Sequence, residues 1–168
     1  GLMQTCTGFG RFEPDYAKPN FLILFAEVEV DTETGKLDLL RVVTATDVGQ
    51  IIDPPSLEGQ LHGAIGAAGI DTAIFEESLI DKNSGHMLNI NMMDYKWRSF
   101  SELPRFENKI LETPMQTHRY KAIGVGEIST SPGPSAVLMA ASNALGTRLK
   151  GYPLTPDKIL KALGKIHP

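Results

Sequence analysis

A lone carboxylate framed by glycines is the feature of this sequence most able to do chemistry. Residues 123–134 read IGVGEISTSPGP, so Glu127 follows Gly124 and Gly126 and precedes the hydroxyls of Ser129, Thr130 and Ser131. Glycines let a backbone approach a ligand closely, and a helix starting just beyond the loop supplies oriented amide donors. With apolar Val125 and Ile128 beside it, Glu127 could act as a general base. The same pattern also suits a carboxylate that only accepts backbone hydrogen bonds in a glycine turn. Spacing alone favours that plainer role.

Other chemistries find little support. His62, His86, His118 and His167 are scattered without HExxH or other paired-ligand spacing, so no protein-ligated transition metal is expected. Cys6 is the only cysteine, which excludes an internal disulfide, a cysteine-ligated iron–sulfur cluster and a CxxC zinc site. No GxSxG elbow is present. A dinucleotide loop starting at Gly124 would need glycine where Ser129 stands. The net charge of −4 and the lack of a basic block argue against a nucleic-acid surface. Apolar runs such as Phe21–Ala26 are far too short to span a membrane, and no signal-peptide pattern opens the chain. The cytoplasm is the expected compartment. Gly1-Leu2-Met3-Gln4 reads as the middle of something longer.

The elements that must position Glu127 belong to an α+β chain, a β-hairpin and mixed sheet packed with helices. At 168 residues, with 42% hydrophobic and 21% charged side chains, one domain core is expected. Residues 1–20 form an irregular lead-in and 21–168 the folded part. Phe21–Asp31 reads as a strand whose second half puts Ala26, Val28 and Val30 on one face and Glu27, Glu29 and Asp31 on the other. Thr32-Glu33-Thr34-Gly35 is a hairpin turn, and Lys36–Thr46 returns as the partner strand. The alternation breaks at Leu39-Leu40, which predicts a bulge or a change of buried face.

Ser56 can cap a helix from Leu57 to about Leu79. Gly59, Gly63, Gly66 and Gly69 recur along it, each costing roughly 1 kcal/mol against alanine. Close backbone approach at this glycine face, Gly63 included, is expected to compensate. Met87–Lys96 and Phe106–Glu112 read as further strands. An amphipathic helix follows Ser131-Pro132-Gly133-Pro134, with Val137, Leu138, Ala141, Leu145 and Leu149 on one face. Thr155-Pro156 opens a last short helix that buries Ile159, Leu160 and Leu163 and ends at Gly164.

Four segments in order resemble the molybdenum hydroxylases of the xanthine dehydrogenase and aldehyde oxidase type. They are FAEVEVDTETGKLDLLRVVTATDVG at 25–49, LEGQLHGAIG at 57–66, GVGEIST at 124–130 and PLTPDKILKAL at 153–163. Together they span most of residues 21–165. The resemblance implies the C-terminal part of the molybdopterin-binding large subunit, with the metal held by the pterin dithiolene rather than by side chains. It makes Glu127 the catalytic base and brings the Gln60 amide to the molybdenum centre. Gly124, Gly126, Ile128 and Ser129 are then cofactor-binding residues of the same loop. The implied reaction hydroxylates a heterocycle of the purine or xanthine kind, or an aldehyde, with oxygen taken from water.

The implied partners are the remainder of the molybdopterin-binding subunit, the small-molecule substrate, and the domains or subunits that carry the iron–sulfur clusters and FAD. The chain is then a fragment, an expressed domain or a separately encoded piece, inactive by itself. A contrasting expectation is a non-catalytic remnant that serves as an assembly module.

Overall fold

The computed structural model describes residues 7–11, 19–116 and 119–167. Strand β1 (Leu22–Val30) and strand β2 (Leu37–Asp47) form an antiparallel hairpin, and β3 (Arg105–Leu111) adds to β2 in parallel. The sheet order is β1-β2-β3. A parallel neighbour requires a long crossover, and here the crossover carries a helical rod over the inner face of the sheet. Helix α1 (Pro54–Gly63) runs into a π-helical segment (Ala64–Gly69) and then α2 (Ile70–Ile74). After β3 come α3 (Gly133–Leu145) and α4 (Pro156–Ala162).

The expected hairpin is present, and its register shows why the apolar alternation breaks. Glu27 faces Arg41 and Val28 faces Leu39, which leaves Leu40 as the extra, unpaired residue of a bulge. Leu37 and Leu39 are buried before it, and Val42, Thr44 and Thr46 after it. One inserted residue has moved the buried face from odd to even positions. The inner hydroxyls are satisfied: Thr44 Oγ1 donates to Asn108 Oδ1 at 2.8 Å and Thr46 Oγ1 to the Phe21 carbonyl at 3.1 Å. The core joins Leu24 and Val42 of the sheet to Leu61, Ile65, Ile70, Val137, Ala141 and Ile159 of the helices. Each fully buried aliphatic side chain contributes roughly 1.5–3 kcal/mol.

Five expectations need correction. The helical rod begins at Pro54, three residues early, with Asp53 rather than Ser56 at its cap position. Pro54 and Pro55 fit the first turn because no intrahelical partner awaits their missing N–H groups. Ser56, now inside the helix, donates its hydroxyl to Asp53 Oδ2. The rod also stops at Ile74 rather than Leu79, since the Ala73 carbonyl is taken by the Leu154 N–H at 2.7 Å and Asn89 binds both the Glu77 carbonyl and the Leu79 N–H.

Met87–Lys96 is not a strand. Asn91 Oδ1 accepts the Met93 N–H, and the Asn91 carbonyl accepts those of Asp94 and Tyr95. Local turns of this kind compete with a ladder, and only an isolated pairing of Ile80 with Met87 survives. Leu149 is buried but lies beyond α3, which ends at left-handed Gly146.

The fifth correction concerns the glycines. No atom lies within 4 Å of a Cβ built at Gly59 or Gly63, so the expected close approach is absent there. It occurs instead at the end of the π-helical segment. A Cβ on Gly69 would sit 2.9 Å from the Thr130 carbonyl oxygen, and one on Gly133 would sit 2.9 Å from the Gly69 carbonyl carbon. Backbone meets backbone where the rod abuts the start of α3. Among the described residues no helix is long and apolar enough to cross a membrane.

Candidate active site

The loop that carries Glu127 is pinned to the end of β2. Gly49 pairs with Ala122, the Gln50 N–H donates to the Lys121 carbonyl at 2.9 Å, and the Ile123 N–H donates to the Val48 carbonyl at 2.9 Å. Glycine is required at 49 twice over. Its φ is +64°, and a Cβ there would lie 2.5 Å from the Lys121 oxygen. Asp47 closes the same corner, its Oδ1 accepting the N–H groups of Gly49 at 3.0 Å and Thr113 at 3.1 Å. The chain therefore leaves Ile123 beside the first turns of α1.

The structure brings together the two parts that the sequence singled out. Gln60 Nε2, on α1, donates to the Gly126 carbonyl at 2.6 Å, one residue before Glu127. A second amide acts in parallel: Asn20 Nδ2 donates to the Gly124 carbonyl at 2.7 Å. In a trans peptide the N–H points opposite to the C=O. Holding the carbonyls of 124 and 126 therefore turns the N–H groups of Val125 and Glu127 to the other side. Neither N–H has a protein partner among the described residues.

Gly124, Gly126 and Glu127 are exposed, Ile128 is half-buried and Ser129 is fully buried. A Cβ at either Gly124 or Gly126 would meet no atom within 4 Å. The Ser129 hydroxyl is buried without a hydrogen-bond partner. Among the described residues, only the backbone carbonyl of Glu127 is engaged, accepting the Thr130 N–H at 3.2 Å. Its carboxylate makes no hydrogen bond within the loop among the described residues. Beside the loop lies a groove of about 370 Å³ lined by Val48, Ile51, Leu57, Gln60, Val125 and Gly126.

Asn20 was passed over in the sequence because it sits in a lead-in with no period, and its partner is 104 residues away. A lone asparagine before a strand gives no local signal. A second feature missed is the buried ion pair of Asp71 and Arg98, Nε to Oδ1 at 2.8 Å, with side-chain exposures of 0% and 3%. Burial pushes the Asp71 carboxyl above its usual range, and the Arg98 charge and hydrogen bonds oppose that shift. The guanidinium also lies 5.5 Å from the centre of the Phe75 ring.

The histidines do not converge. His62 stacks on Phe106 with ring centres 4.7 Å apart, His86 and His167 are exposed, and His118 lies outside the described residues. Among the described residues no group of three or more His, Cys, Asp or Glu side chains could hold a metal ion. What the loop offers is hydrogen bonding and backbone access.

Comparisons with known proteins show the family of the chain. Residues 5–104 match the family model described as molybdopterin cofactor-binding domain. The chain is 34% identical over 141 residues to the xanthine dehydrogenase molybdenum-binding subunit of Escherichia coli O157:H7, covering 84% of this chain and 19% of that protein. It is 31% identical over 159 residues to the aldehyde oxidoreductase molybdenum-binding subunit PaoC of Escherichia coli (strain K12), covering 94% of this chain and 22% of that protein. A crystal structure of the Cu,Mo-CO dehydrogenase in its carbon monoxide reduced state superimposes with a TM-score of 0.78 at 27% identity, over 87% of this chain and 19% of that one. The chain thus spans about a fifth of the length of the curated relatives it matches.

Proposed function

The chain belongs to the molybdopterin cofactor-binding domain family of the molybdenum hydroxylases, and on that premise we propose that the junction of α1 with the 124–130 loop is one wall of the cofactor site, with Glu127 as the catalytic base. The observation that carries this reading is the 2.6 Å bond from Gln60 Nε2 to the Gly126 carbonyl. It ties the helix to the loop immediately before the only carboxylate framed by glycines.

The residues present suit a pterin. Such a group is recognised by hydrogen bonds and close backbone contact rather than by side-chain ligands to its metal. The loop supplies two N–H groups and a buried Ser129 hydroxyl without partners among the described residues, and open space over Gly124 and Gly126. When bound, the cofactor supplies two-electron redox chemistry.

The chain's own residues do the rest. The second amide hydrogen of Gln60 remains for a ligand acceptor while the first holds the loop. Gly124, Gly126, Ile128 and Ser129 give the cofactor its contact surface on this wall. Glu127 takes a proton at a carboxylate oxygen from the water-derived oxygen that is transferred to substrate. Its exposed position lets it reach a group seated outside this chain's own surface.

The substrate is an electron-poor carbon of a heterocycle or an aldehyde, the classes that the names of the relatives carry. The remainder of a molybdopterin-binding subunit would close the site, with iron–sulfur and flavin units receiving the electrons and the cytoplasm as the working compartment. Replacing Gln60 with alanine in the complete enzyme tests the wall. Molybdenum retention or turnover is expected to fall about 10- to 100-fold, the usual effect of losing an outer-shell partner of a metal group. Unchanged metal content together with unchanged turnover would remove Gln60 from the site.

A further inference from the structure

We infer that Asn20 is a positioning residue for Glu127, acting with Gln60 as a two-amide clamp on the loop. The inference rests on the reading of Glu127 as the base. Two glycines flanking a valine give the Gly124-Val125-Gly126 segment wide backbone freedom, and neither glycine is packed against a neighbour. Something must select one conformer if Glu127 is to meet a reacting atom repeatedly. The two carbonyls of the segment are held by side-chain amides from separate parts of the fold, Asn20 just before β1 and Gln60 on α1, at 2.7 Å and 2.6 Å.

The acceptor fixes the orientation of the Asn20 amide, since only its NH2 can serve the Gly124 carbonyl. That orientation leaves Asn20 Oδ1 buried and without a partner. A buried acceptor left unmade is costly, and its retention marks the donor end as the working end. Each clamped carbonyl also turns the following N–H outward, so Asn20 sets Val125 as Gln60 sets Glu127. Losing the Asn20 tether frees the Gly124–Val125 peptide and leaves only the Gly126–Glu127 peptide held, by Gln60.

The test uses the holoenzyme with Asn20→Asp, which sets a carboxylate against the Gly124 carbonyl, and Asn20→Ala, which removes the donor without repulsion. Both should lower kcat about 10- to 100-fold, the range in which a small misplacement of a catalytic group falls, with KM and molybdenum content unchanged. Amide exchange across 123–130 should quicken in both variants. In a Glu127→Gln background neither substitution should lower kcat further, because a residue that acts through Glu127 has nothing left to position.

Wild-type kcat and exchange in Asn20→Ala would overturn the inference, as would losses that multiply in the double variants. If Glu127→Gln alone kept full turnover, the assignment of the base would fail. Exchange across 123–130 would then still decide the clamp: acceleration by Asn20→Ala would support it and unchanged exchange would overturn it.

Discussion

At the scale of single residues, the proposed site joins two engaged amides, Gln60 and Asn20, to a buried Ser129 hydroxyl without a partner among the described residues. Gln60 and Glu127 were singled out by segments that resemble a known family, and Gly124 and Gly126 by the loop's composition. Their meeting was not, because nothing in a sequence states that residue 60 and residue 126 are neighbours. Asn20 was invisible for the same reason. Ser129 shows what an unused group implies for stability. Its hydroxyl is fully buried and unpartnered, which costs about 1–3 kcal/mol for a group of this kind. Ser129→Ala is therefore expected to stabilise the chain without cofactor by about 1 kcal/mol in chemical denaturation. The same change in the complete enzyme should weaken cofactor retention. Destabilisation of the cofactor-free chain by Ser129→Ala would show that the hydroxyl has a partner there.

At the scale of elements, the helical rod from Pro54 to Ile74 is the piece whose glycines look alike in sequence and differ in space. Gly69 lies against the Thr130 carbonyl, whereas Gly63 has open space. Gly69→Ala should lower stability by about 1–3 kcal/mol, the usual range for overfilling a tight contact. Gly63→Ala should be neutral or stabilising by up to about 1 kcal/mol, the helix-propensity difference. Equal effects from the two would refute the contact between the rod and α3.

The hairpin, its bulge at Leu40, β3 and the last two helices could be read from periodicity, because one buried face imposes a period on each. The rod's start and end could not. Asp53 and Ser56 are both acceptable caps, and the stop depends on Leu154 and Asn89, which are distant in sequence. The false strand at 87–96 has strand-like composition but spends its hydrogen bonds on Asn91 turns. Asp71 and Arg98 stand 27 residues apart with no motif between them. Removing one partner would leave the other charge buried, and losses of about 3–5 kcal/mol follow such changes.

At the scale of the whole molecule, acid should loosen the fold. Asp31 and Asp81 are held below the usual carboxylate range by Thr34 and Ser84 in their turns, Glu102 by the Ser99 hydroxyl, and Asp157 by Thr155. A carboxyl lowered in the folded state adds stability above its unfolded value, about pH 4, and loses it as pH falls through the folded value. Asp71, raised by burial, has the opposite sign: its contribution is present below the unfolded value and lost as pH rises. Four groups against one predict a melting temperature that drops below about pH 4, and a flat profile down to about pH 3 would contradict the turn assignments.

The chain spans about a fifth of the length of the curated relatives it matches, and the central claim, that Glu127 is the base, is tested in the complete enzyme. The measurement is the rate of substrate-driven reduction in the complete enzyme with Glu127→Gln, at matched molybdenum content. Glutamine keeps the shape of the side chain and one acceptor oxygen but removes its basicity. A loss of about 10²–10⁴ in rate with normal cofactor content is the expected result. Near-normal reduction with full molybdenum would contradict it and leave Glu127 a carboxylate without a catalytic part.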